Sequence, residues 1–156
     1  MQSFLNRSAA CLGLLLLAGL SHADGLRVTD PWVRLAPPNA PVLAAFMILE
    51  NPSHSDISVI DVQSPYQAKR VEMHRTMEMD GMMHMKKQAE IPVPARSSTE
   101  LKPGSWHLMI IGPARIPSPG ETVELTLVLS DGEQVRVRAI ARKGPMGMNH
   151  GSTKHD

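Results

Sequence analysis

From Leu26 onward, apolar and polar positions alternate in short runs that end at turn residues. Val123, Leu125, Leu127 and Leu129 alternate with Glu124 and Thr126, the two-residue period of a strand with one buried face. Val135, Val137 and Ala139 repeat that period against Arg136, Arg138 and Ile140, and Ser130-Asp131-Gly132 supplies the turn between the two runs. The same reading predicts strands at 26–35, interrupted by Pro31, and at 43–50, which is apolar enough to be buried. Further strands are expected at 57–62, 99–101, 105–111, 122–129 and 133–141, with a hairpin over 69–87. In 57–62 the alternation is mixed: Ile57 and Val59 share a face with Asp61, while Ile60 and Val62 share the other with Ser58. No inward face follows from it. No long segment has helical periodicity and no segment repeats. Short strands at this spacing predict an all-β fold, a Greek-key β-sandwich.

The ends differ from this middle. Arg7, the apolar run from Ala9 to Leu20 and the small residues Ser21 and Ala23 make residues 1–23 a cleavable secretory signal peptide. The run is too short for the ~20 residues that span a bilayer, so no stable membrane insertion is expected after cleavage. Cys11 is not placed as a lipoprotein cysteine, because most of the apolar run follows it. Residues 24–143 form the predicted domain. Residues 144–156 hold nothing that could build a core and are expected to be a flexible tail containing Met146, Met148, His150 and His155.

Cleavage removes the only Cys. A thiol nucleophile, a disulfide and a Cys-ligated blue-copper site are thereby excluded from the mature chain. It also leaves equal numbers of basic and acidic residues, which gives no electrostatic reason for nucleic acid or anionic lipid as a partner.

What stands out instead is sulfur and imidazole. The chain has 11 Met and 7 His, many of them between Met73 and Met109. Thioether and imidazole together suit Cu(I), a soft ion. On a strand, His107 and Met109 share one face, and Trp106, Leu108 and Ile110 take the other. Asp80-Gly81 is a two-residue turn signal; its register opposes His74 to Lys87 and Thr76 to Met85. His74 and Met85 are then diagonal neighbours on one face.

These residues spell His-x10-Met-x21-His-x-Met, with Met73 before the first His. Flanking phrases are Asp30-Pro31-Trp32-Val33-Arg34, Glu72-Met73-His74, Leu101-Lys102-Pro103-Gly104 and Trp106-His107-Leu108-Met109. The chain thereby resembles the periplasmic copper chaperones written PCu(A)C over nearly all of 25–142. That resemblance implies a cupredoxin-like sandwich and a Cu(I) site at His74, Met85, His107 and Met109. It also implies a periplasmic location and delivery of copper for the dinuclear centre of cytochrome c oxidase. The expected partners are the copper-bearing oxidase subunit and its thiol-bearing assembly factor.

Other readings compete. A lone Met is ordinarily core filler, which fits Met47. Met73 has the parity opposite to His74 and is better suited to packing, though it remains an auxiliary ligand candidate with Met146, Met148, His150 and His155. Met77 and His84 fall on the face away from His74. The tail could take Cu(II) through its histidines. The alternative functions are copper buffering without a dedicated recipient and, further off, a copper oxidase using His22 as an N-terminal ligand. The favoured reading is a carrier and not an enzyme.

Overall fold

The computed structural model describes residues 25–66 and 68–144. They form ten strands: β1 (Arg27–Arg34), β2 (Val42–Asn51), β3 (Ile57–Gln63), β4 (Arg70–Met79), β5 (Met82–Gln88), β6 (Ile91–Val93), β7 (Ser97–Leu101), β8 (Trp106–Ile111), β9 (Thr122–Leu129) and β10 (Gln134–Arg142). Among the described residues there is no helix, so the fold is all-β as expected. The hydrogen-bonded order is β5-β4-β8-β7-β2-β1-β10-β9-β3-β6. β1 pairs with β10 in parallel and β2 pairs antiparallel with β8 and then β7 along its length. The ribbon rolls up until β3 approaches β4, which turns one continuous sheet into a sandwich over a single core.

That core is built from the inward positions of alternating strands. Leu43, Met47 and Leu49 of β2, Leu108 and Ile110 of β8, and Leu125, Leu127 and Leu129 of β9 are fully buried. Burying a side chain of this kind contributes roughly 1.5–3 kcal/mol relative to leaving it exposed. Ala45 and Ala139, also buried, let neighbouring strands close over the larger residues.

Three local departures from simple alternation have physical causes. In β1 the register slips between Thr29 and Trp32, where Asp30 takes φ 46° and Pro31 follows; the bulge is the interruption that Pro31 announced. In β3 the register slips between Val59 and Asp61, so Ile60 is the extra residue. Ile57, Val59 and Val62 are therefore all inside, and Ile60 is exposed. Neither parity was right alone. β6 was not anticipated: Ile91-Pro92-Val93 has a proline at its centre. It survives as the last strand of the sheet, bonded only to β3, where a missing N–H can face outward.

The β4–β5 hairpin has the expected register, with His74 opposite Lys87 and Thr76 opposite Met85. Asp80 and Gly81 take φ 53° and 75°, the two positive values of a type I′ turn. Residues 1–23, expected to be a signal peptide, and the tail residues Met146, Met148, His150 and His155 lie outside the described residues.

Candidate metal centre

β4 and β8 run antiparallel, and their pairing sets His74 opposite His107 and Glu72 opposite Met109. β5 extends the same face with Met85. His74, Met85, His107 and Met109 therefore stand together on the outer face of the sheet, while Leu108 and Ile110 point into the core behind them. The two imidazole rings are 5.8 Å apart between centroids. His107 Nε2 is 3.2 Å from Met85 Sδ. Met109, half-buried, is two residues along β8 from His107 and next to Ala44 of β2.

Hydrogen bonds fix which nitrogen of each ring is free. His107 Nδ1 is 2.9 Å from the Ser105 carbonyl oxygen. A carbonyl only accepts, so Nδ1 carries the proton, and in the neutral ring Nε2 presents a lone pair toward Met85. The Ser105 carbonyl also accepts the Thr76 N–H at 3.1 Å, which ties the turn before β8 to β4. His74 Nε2 is 2.9 Å from Glu72 Oε2. Glu72 also accepts from Arg70 and Lys87. The His74 hydrogen bond first, and then those from Arg70 and Lys87, hold its carboxyl well below the usual range, at about 2. Glu72 is thus ionised and only accepts, so His74 Nε2 carries the proton. In the neutral ring Nδ1 is then the lone-pair nitrogen, and it is buried without a hydrogen-bond partner.

An unpartnered buried lone pair is costly and calls for an electrophile. Two imidazole lone pairs with thioethers beside them match a soft monovalent ion, and the thioethers bind without losing a proton. Among the described residues no three His, Cys, Asp or Glu side chains are placed to share an ion, so this donor set depends on its thioethers.

The surroundings were only partly anticipated. In the sequence Glu72 stands only as a flank of His74, and the structure makes it the partner of the ring, as residues two apart on a strand share a face. Phe46 was missed as well. It is buried, 6.4 Å from the His107 ring and 4.6 Å from Trp32 between centroids, and it walls the site on the β2 side. Arg34 lies over Phe46 and Arg142 over Trp32. The β2–β8 pairing brings Phe46 toward His107, and the β1–β2 and β1–β10 pairings bring Trp32, Arg34 and Arg142. Met73 is a correction: it is 7% exposed and packed in the core, on the face of β4 opposite His74, so it is not among the candidate ligands on that face.

A carboxylate that holds the N–H of a ligating imidazole orients the ring and raises its basicity; losing such a partner typically costs 10–100-fold in metal affinity. Glu72→Gln is therefore expected to weaken Cu(I) binding by about 10–100-fold without unfolding the protein. A competition titration against a Cu(I) chelator measures it, and unchanged affinity would remove Glu72 from the site.

The LpqE-like family model matches residues 26–141. The chain belongs to the LpqE-like family. A relative from Leifsonia xyli subsp. xyli, named as a lipoprotein, is 30% identical over 112 residues, 71% of this chain. The match spans 66% of that relative's length. The Cu(I)-bound solution structure of DR1885 from Deinococcus radiodurans is 32% identical, with 81% of this chain and 85% of that one covered and a TM-score of 0.63. Apo-DR1885 is matched over 94% of this chain and 97% of that one, at 28% identity and a TM-score of 0.60. The copper-bound PCuAC domain from PmoF2 shares the fold at 19% identity, covering 79% of this chain and 97% of that domain, with a TM-score of 0.65. This LpqE-like protein thus shares the cupredoxin-like β-sandwich fold of PCuAC domains.

Proposed function

We propose that this LpqE-like protein is an exported copper chaperone. It takes up Cu(I) through His74 Nδ1, His107 Nε2, Met85 and Met109 in the periplasm and delivers it for assembly of the dinuclear copper centre of cytochrome c oxidase. The observation that carries the reading is the pair of fixed imidazole lone pairs, one beside a thioether and one buried without a partner. The copper-bound relatives and the lipoprotein name of another relative support cargo and export respectively.

The site is suited to release as well as uptake. His107 is 8% exposed and anchored by Ser105, and His74 is anchored by Glu72. Met85, by contrast, is 54% exposed on β5, a strand bonded on one side only. An incoming donor reaches Met85 first. A thiolate is a stronger donor to Cu(I) than a neutral thioether, so a thiol-bearing recipient displaces Met85 while the rings still hold the ion. The chain acts as a carrier in this scheme, and no residue is given a catalytic role.

The buffering alternative finds support in the exposed Met79, Met82 and Met83 of the hairpin. Transfer separates the two. Cu(I)-loaded protein is mixed with the reduced, copper-free soluble domain of the oxidase subunit, with and without the assembly factor. A chaperone fills the dinuclear centre faster than an equal amount of chelated Cu(I); a buffer retains its copper or gives no advantage.

A further inference from the structure

The hairpin has a second face. β4 bonds to β8 only as far as Arg75, with one further hydrogen bond from the Thr76 N–H, so residues 77–84 project past the sandwich and pair with each other alone. On the face opposite His74 and Met85, the register sets Met77 against His84 and Met79 against Met82. This is the core-facing side of β4 continued beyond the end of the core, where Trp106, half-buried beneath Arg75, closes the interior. Met77 is half-buried, but for the two methionines nearer the turn the ordinary reason for a methionine, packing in a core, fails. Met79 is 43% and Met82 61% exposed, and His84 is exposed too.

We propose that Met77, Met79, Met82 and His84 form a second site for a soft monovalent metal ion, Cu(I) or a chemical equivalent such as Ag(I). Directly opposed side chains have Cβ atoms about 4.5–5.5 Å apart, and successive same-face residues on one strand are roughly 7 Å apart. Three flexible thioethers and one imidazole can converge across such a quadrilateral. The next pair inward is Arg75 opposite Lys86, and this face of the hairpin carries no carboxylate between Met73 and Gln88. Two cations and no anion disfavour a divalent ion, whereas neutral sulfur donors favour a soft ion of single charge. The type I′ turn fixes the register that groups the four residues. With no hydrogen-bonded anchor such as Ser105 or Glu72, the site binds more weakly than the outer-face set and exchanges faster. The proposal goes beyond the proposed function and stands whether or not His74 and His107 hold copper.

The test uses the full chain with His107→Ala and Met109→Leu, which lie outside the hairpin face in question. Cu(I) is added without oxygen, and in parallel Ag(I), while the methionine ε-methyl signals are followed by NMR. The expected result is that the Met77, Met79 and Met82 methyls and the His84 ring shift together and saturate with one equivalent. Adding Met77→Leu, Met79→Leu and Met82→Leu, which keeps the apolar volume, should abolish that equivalent; the same triple change in the otherwise natural chain should lower its total by one. Unmoved methyl signals, or an unchanged number of bound ions in the triple-leucine variants, would overturn the proposal.

Discussion

Replacing Met85 and Met109 together with leucine is expected to lower the affinity of the outer-face site for Cu(I) by at least about 100-fold, beyond what the loss of a supporting hydrogen bond costs. Leucine matches methionine in volume and keeps the apolar contacts, so what disappears is the sulfur. Met85 is 54% exposed and Met109 half-buried on the outer face; neither belongs to the core, so the fold is expected to be unchanged. Two imidazole lone pairs would remain, and imidazole alone discriminates little between Cu(I), Cu(II) and zinc. Selectivity for Cu(I) should therefore fall together with affinity. Competition against a chromophoric Cu(I) chelator gives the number, and circular dichroism checks the fold. Affinity equal to that of the natural protein would remove the thioethers from the site.

The second large effect concerns the support behind the ligands. Leu108 lies between His107 and Met109 in sequence but points the other way, fully buried in the core. Leu108→Ala should destabilise the copper-free protein by about 2–5 kcal/mol, through lost burial and the cavity left behind. The expectation assumes a fold that needs no metal, and the continuous core across β2, β8 and β9 supplies its reason. Denaturant unfolding of the apo protein in the presence of a chelator measures both points. A random-coil spectrum for the natural apo protein, or a loss well below 1 kcal/mol in the variant, would contradict this reading of the core.

Local features were legible in the sequence wherever a single short signal decided them. Asp80-Gly81 fixed the hairpin register, and with it the shared face of His74 and Met85, because a type I′ turn admits one pairing. The parity of His107 and Met109 against Leu108 and Ile110 followed in the same way. What failed was whatever depends on a bulge or on distant partners. Ile60 interrupts the period of β3, and Pro92 disguises β6 as a loop. Nothing in the spacing sets His74 opposite His107, since that depends on β4 pairing with β8 across more than thirty residues; only the family resemblance implied that they meet. For the same reason Phe46 and Trp32 were invisible as a wall of the site. Glu72 could have been found, because it is two residues from His74 on one strand and a histidine ligand usually has a carboxylate or carbonyl partner.

X-ray absorption at the copper edge, on protein lacking residues 1–23 and loaded with one equivalent of Cu(I), counts the donors directly. The geometry of His74, Met85, His107 and Met109 predicts both a nitrogen shell and a sulfur shell, with two donors in each. A copper environment without sulfur, or one with sulfur alone, would contradict it.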